Sequence, residues 1–230
     1  AASDVYKRQA LGLPTRMPIL RGHSAESPEA LRGVTWPDWV ADADAALKDL
    51  LTEAERAIVF GHSMGGLAAL TLAADRADVI DSIVVAAAAV QLTSPLAPGQ
   101  PFHFLVPVLR RILKKWDVPP TYADPELVQY DTNYAWAPMD AIVSFLEFGE
   151  ATRHRLPEVQ VPALIMQSRK DTTVAPGSAE IIYDSISTPA DQKRIVWFEV
   201  TEHEMFRDCE RESTTRIVVD YVRDRTGLSG

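Results

Sequence analysis

Cysteine is nearly absent. The single Cys209 in 230 residues excludes an intramolecular disulfide and a cysteine-rich zinc site. It reads as a small packed residue in a helix rather than a reactive thiol. None of the five histidines stands at H-x-x-x-H spacing or within a His/Asp cluster, so neither a catalytic metal nor any cofactor is expected. Long hydrophobic runs are also missing: the longest, residues 83–90, has the length of a strand and not of a membrane span. Basic residues are outnumbered, with 23 Lys and Arg against 32 Asp and Glu and a net charge of −9. That balance argues against nucleic acid and against stable association with anionic membranes, both of which call for a basic face. What is present, 47% hydrophobic and 24% charged residues, suits a globular chain with one substantial core. A cytoplasmic enzyme or binding domain acting on a small molecule is expected. Nothing in the sequence specifies an oligomeric state.

The first nine residues differ from the rest. Asp4-Val5-Tyr6-Lys7-Arg8-Gln9 back-translates to GATGTGTATAAGAGACAG, which resembles a transposon-end adapter of DNA sequencing libraries. Residues 1–9 are therefore expected to be non-native, with the native reading beginning near Ala10. A genuine polar terminus is the alternative, and a signal peptide ahead of it stays open.

The richest stretch is Gly61-His62-Ser63-Met64-Gly65-Gly66, which has the G-x-S-x-G form of a nucleophile elbow. Such a pattern recurs by chance; its setting gives it meaning. Ala57-Ile58-Val59-Phe60 before it is short, apolar and β-branched, as a buried parallel strand should be. Residues 67–74 after it are strong helix formers with an apolar stripe. Glycines two positions either side of Ser63 let the chain fold back tightly, and Gly66 lets the helix lie close to neighbouring strands.

Elsewhere, strand and helix patterns alternate. Pro18-Ile19-Leu20 reads as the end of a strand, followed by the loop Arg21-Gly22-His23-Ser24. Trp36-Pro37-Asp38-Trp39 opens a helix with Val40, Ala43, Leu47, Leu50 and Leu51 on one face. Strands are expected over 81–86, 161–167 and 195–200, with helices near 179–187 and around Ile217, Val218, Tyr221 and Val222. The alternation predicts a doubly wound, mostly parallel sheet. Residues 10–93 and 156–230 would form this core. Residues 94–155, rich in proline, read as a helical cap inserted over the sheet edge where ligands bind in such folds.

A serine hydroxyl needs a base to take its proton, and the base needs an acid to orient it. Asp171 lies just beyond the predicted strand 161–167, and His203 just beyond 195–200, at the start of the final helix. On position alone Asp171 would be a turn aspartate and His203 a loop histidine. Ser63, Asp171 and His203 acquire another meaning from their order and from each following a strand. His62 is expected beneath or beside the site, His23 in a loop, His103 in the cap and His154 on a solvated turn.

With these motifs in place, the chain resembles the serine carboxylesterase and monoacylglycerol lipase group of bacterial α/β-hydrolases. The resemblance rests on residues 17–23, Trp36-Pro37-Asp38-Trp39, residues 61–66, residues 167–171 and His203-Glu204-Met205. It implies a Ser63–His203–Asp171 triad, an oxyanion-hole donor in the backbone N–H of Met64, and cleavage of acyl esters, monoacylglycerols among them. It places the second oxyanion donor on a His-Gly-rich loop after an early strand, upstream of Arg21-Gly22-His23, so that the early strands are expected to be missing and the chain to be a fragment. Phe102, Phe104, Leu105, Leu109, Tyr134, Trp136 and Met139 of the cap are the acyl-chain candidates. Thioesterase, peptidase and C–C hydrolase activities stay open, as do an inactive fragment and a non-catalytic binding protein on the same fold.

Overall fold

Short β-branched runs are stable only with hydrogen-bonded neighbours and with cover on both faces. The computed structural model describes residues 12–23 and 26–228. In chain order these hold α1 (Trp36–Leu50), β1 (Ala57–His62), α2 (Met64–Asp75), β2 (Ile80–Ala86), α3 (Val106–Ile112), β3 (Lys115–Asp117) and β4 (Trp136–Pro138). There follow α4 (Met139–Arg155), β5 (Ala163–Ser168), α5 (Gly177–Ser185), β6 (Lys193–Phe198) and α6 (Arg211–Thr226). The strands of the main sheet run in the order β1-β2-β5-β6, all parallel. Its register pairs His62 with Ala86, Ala86 with Met166, and Ser168 with Phe198. The chain therefore leaves β1, β5 and β6 at one common edge.

Alternation along the strands divides the core in two. Ile83, Val85, Ala163 and Ile165 point to one face and pack with residues of α1, α2, α4 and α5. Val84, Ala86, Leu164 and Met166 point to the other, where Val218, Ile217 and Tyr221 of α6 cover them. Each Val, Leu, Ile or Met among them, taken fully out of water, contributes about 1.5–3 kcal/mol. The fold is that of an α/β-hydrolase, a parallel sheet sandwiched by helices.

Within residues 94–155, α3 and the β3–β4 ribbon form a layer of their own. Ala97, Val106, Met139, Val143 and Leu146 cluster there with Leu92, Leu109 and Trp116. Helix α4 belongs to both layers: its Phe148 is buried in the main core, stacked on Trp36 with ring centroids 5.3 Å apart.

Four sequence expectations are corrected. Pro18-Ile19-Leu20 forms no strand, and Ile19 is 68% exposed. The segment lies along α1 instead: Arg16 pairs with Asp49 and Glu53, and Arg21 with Asp38 and Asp42. Local apolar character does not make a strand without a hydrogen-bonded neighbour. The final helix begins at Arg211, so His203 sits in a loop that precedes it and not at its start. Cys209 is exposed in that loop's last turn, and His154 lies in the last turn of α4. Residues 1–9, expected to be non-native, lie outside the described residues.

Candidate active site

Ser63 joins β1 to α2 with φ 55° and ψ −117°, a conformation that L side chains rarely adopt. The turn is held by hydrogen bonds from Ser63 N–H to the Ala86 carbonyl (2.9 Å) and from Gly66 N–H to the Ser63 carbonyl (3.0 Å). It closes only because two side chains are missing. A Cβ on Gly61 would lie 2.0 Å from the Gly65 carbonyl oxygen, and one on Gly66 would lie 2.6 Å from Ala88 Cβ. The first clash is against backbone that cannot swing aside. Gly61→Ala is therefore expected to destabilise the protein by roughly 3 kcal/mol. A urea denaturation midpoint equal to that of the unaltered protein would contradict this account of the turn.

The structure brings Ser63, His203 and Asp171 into one chain of hydrogen bonds. Ser63 Oγ is 3.0 Å from His203 Nε2, and His203 Nδ1 is 2.9 Å from Asp171 Oδ2. An ionised carboxylate only accepts, so Nδ1 carries the proton and Nε2 is left to accept from the serine hydroxyl. Asp171 is buried and fixed by its other contacts. Its Oδ1 accepts from the backbone N–H groups of Thr173 (2.9 Å) and Val174 (2.8 Å), and Oδ2 also accepts from Gln167 Nε2 (3.1 Å). The Asp171 loop is stitched in turn to the segment after β2, with Thr93 N–H donating to the Thr173 carbonyl and Ala175 N–H to that of Gln91.

Burial and charge set the protonation of these groups. Burial works against a charged Asp171, but the hydrogen bond and charge of His203, with the two backbone donors, outweigh it and hold the carboxyl below its usual range. Burial likewise opposes a charged His203; the hydrogen bond and charge of Asp171 prevail, aided by Glu204 and Glu202, and raise it above the ordinary imidazole value. His62 goes the other way. Burial chiefly, then the nearby charge of His203, push it down.

Apart from His62, expected beneath or beside the site, the residues that fix the His203 loop were not evident in the sequence. His62 Nε2–H donates to the His203 carbonyl at 2.9 Å, tying the elbow to the His203 loop. Glu202 accepts from Thr172 N–H (2.7 Å) and from the Thr172 hydroxyl, while its other oxygen accepts from His203 N–H. Asp208, fully buried, binds several further N–H groups of the loop. The Trp36-Pro37-Asp38-Trp39 signature lies in the scaffold. Trp36 N–H donates to Ser144 Oγ, Trp39 Nε1–H to the Arg21 carbonyl, and Asp38 accepts from Thr35 at the start of α1.

The cap candidates are dispersed. Leu109 and Met139 belong to the small cap cluster, and Trp136 lies 3.8 Å beneath the Lys115 ammonium. The Tyr134 hydroxyl donates to the Gly22 carbonyl (3.1 Å). Phe102 and Phe104 are 52% and 70% exposed, and Leu105 is exposed beside them. Met64 is the first residue of α2, where N–H groups have no acceptor inside the helix. Among the described residues, no group of three or more His, Cys, Asp or Glu is placed to hold a metal ion, and no helix is long and apolar enough to cross a membrane.

A parallel sheet with a serine on a strand–helix elbow, met by a histidine and an aspartate from later strand ends, defines an α/β-hydrolase. The chain belongs to the Hydrolase_4 family, described as serine aminopeptidase, S33, whose profile matches residues 19–210. It is 27% identical over 187 residues to the thermostable monoacylglycerol lipase of Bacillus sp. (strain H-257), covering 80% of this chain and 69% of that one. A solved structure from LipS and LipT, two metagenome-derived lipolytic enzymes, matches with a TM-score of 0.78 at 25% identity, over 90% of this chain and 80% of that one. The monoacylglycerol lipase of Paleococcus ferrophilus shares the fold with a TM-score of 0.68 at 21% identity, over 84% and 76% of the two chains.

Proposed function

We propose that this hydrolase cleaves carboxylic esters, acyl esters and monoacylglycerols among them, through an acyl-enzyme on Ser63. The observation that carries the reading is the unbroken Ser63–His203–Asp171 hydrogen-bond chain, at 3.0 and 2.9 Å. Ser63 Oγ attacks the ester carbonyl carbon while His203 Nε2 takes the hydroxyl proton. The N–H of Met64, at the positive end of α2, faces the developing oxyanion as one donor of the hole. Collapse expels the alcohol, which receives its proton from His203. A water molecule, deprotonated by His203, then attacks the acyl carbon and releases the acid and Ser63. Asp171 holds the imidazole in the required tautomer and stabilises its cationic form.

Residues 94–155 act in this reading as the cap, with Phe102, Phe104 and Leu105 offering apolar surface to the acyl chain, while Leu109 and Met139 pack the cap's own cluster. Exposure of Phe102, Phe104, Val108 and Ile112, all within eleven residues of sequence, supports this, since large apolar side chains left in water mark a contact with something apolar. The lipolytic names of the relatives agree with it. The family description favours one other reading, release of an amino-terminal residue from a peptide, which the same triad serves.

The test is labelling by a fluorophosphonate, followed by turnover of acyl esters of increasing chain length against aminoacyl amides. Ester turnover with an adduct on Ser63 is expected; an adduct elsewhere, or amides preferred over every ester, would overturn the proposal. His203 must be neutral to act as base, and its pKa is raised. The acidic limb of kcat/KM should accordingly lie above the ordinary imidazole value of 6.5.

A further inference from the structure

The loop that carries His203 is held from the cap as well as from the sheet. Residues 121–133 run across it and touch the residues that follow the histidine. Glu204 N–H donates to the Thr121 carbonyl (3.3 Å), Asn133 Nδ2–H to Glu204 Oε1 (2.9 Å), and Arg207 to the Thr132 hydroxyl (2.6 Å). Asp208 is the junction. Its Oδ2 accepts from Ala123 N–H (2.8 Å), Glu202 N–H (2.7 Å) and the Thr201 hydroxyl (3.1 Å). Its Oδ1 accepts from Asp124 N–H (3.2 Å) and Cys209 N–H (2.8 Å). One carboxylate oxygen thus bridges a cap residue and the residue immediately before His203.

We infer that Asp208 is a positioning residue that makes the placement of the His203 imidazole depend on cap segment 121–133. The inference rests on His203 being the catalytic base. The carboxylate is completely buried, and no Lys or Arg among the described residues forms an ion pair with it; its partners are backbone N–H groups and one hydroxyl. Such a group has little value as a surface charge. Its geometry suits it to gathering donors from two segments that are far apart in sequence. An amide at this position fails, because its NH₂ must point at N–H donors whichever way it is turned. The imidazole has little slack: a displacement of about 1 Å at a reacting group costs on the order of 100-fold in rate.

The test compares Asp208→Asn with the unaltered protein, in kcat per fluorophosphonate-titrated site and in the low-field proton resonance of His203 Nδ1–H. That resonance is assigned by its loss in Asp171→Asn. Asp208→Asn is expected to lower kcat per titrated site by about 100-fold, to change KM much less, and to shift or broaden the resonance. The double variant N133A/R207A, altered at the partly exposed rim of the same contact, is expected to move both readouts in the same direction by less. A lowered Tm with kcat per site and resonance unchanged would make Asp208 a merely structural group and overturn the inference. If Asp208→Asn does not fold, the decision passes to N133A/R207A, and unchanged readouts there overturn it equally. If the unaltered protein takes up no label at Ser63, the reading of the base has failed by itself. The resonance then still reports whether Asp208 and the cap segment govern the imidazole.

Discussion

Ser63→Ala is expected to lower ester turnover by on the order of 10⁶-fold, because serine and base act as one unit and losing either removes nearly the whole effect. The residual rate would come from binding and from the oxyanion donor. The fold should survive the change. Ser63 is partly exposed, its hydroxyl bonds to His203, and the turn is built from backbone contacts that alanine keeps. What is lost is one hydrogen bond from a partly exposed hydroxyl, which costs about 1 kcal/mol. The measurement is kcat of the purified variant on a p-nitrophenyl ester, with the urea midpoint alongside. Turnover within 100-fold of the unaltered enzyme, in a variant that no longer takes up fluorophosphonate, would remove Ser63 from the nucleophile's role.

The two neighbouring histidines show how the environment divides roles between like groups. Their ring centroids are 5.0 Å apart, yet burial drives His62 down while Asp171 lifts His203. His62 therefore stays neutral and serves as a donor to the His203 carbonyl. His203, facing a carboxylate on one side and a hydroxyl on the other, is the ring equipped to take up a proton. Groups whose environments push their pKa values apart in this way mark the acid–base assignment of a site.

The strands and the elbow were legible because their signals are local. Ile83, Val84 and Val85 form an apolar run of strand length, and Gly61 and Gly66 stand where the tight turn requires them, whereas a side chain at Gly65 would meet open space. Asp171 and His203 were singled out by their order together with their places after strands, and the structure puts their side chains 2.9 Å apart. What remained hidden depends on tertiary partners. Nothing around Asp208 announces that its carboxylate collects backbone N–H groups from residues 123 and 124, because backbone donors leave no trace in side-chain patterning. The bond from His62 to a carbonyl at position 203 is invisible for the same reason. Residues 18–20 misled in the opposite sense: they have the residue types of a strand, but two arginines fasten the segment to acidic side chains around α1. The final helix reads too long in sequence because carboxylates hold the loop before it. Glu210 accepts from Val200 and Thr201 N–H, and Asp208 from Cys209 N–H, keeping the chain in turns until Arg211.

Asp171→Asn is expected to cost about 10⁴-fold in kcat, the scale seen when a triad acid is made an amide. The surroundings determine which way the amide turns. Oδ1 faces two backbone N–H donors, Thr173 and Val174, so the amide oxygen takes that position and the NH₂ falls where Oδ2 was. It then donates to His203 Nδ1, which must become the unprotonated nitrogen. The proton moves to Nε2, and the imidazole donates toward Ser63 when it should accept from it. The pH profile should change in a defined direction as well. With the carboxylate gone, burial is the dominant influence left on His203, and burial lowers its pKa. The acidic limb of kcat/KM should therefore shift to lower pH even as the plateau falls. Turnover within tenfold of the unaltered enzyme, with the acidic limb unmoved, would show that Asp171 neither orients nor charges the base. The acid would then have to be sought among the other carboxylates around His203, with Glu202 and Glu204 the first to test.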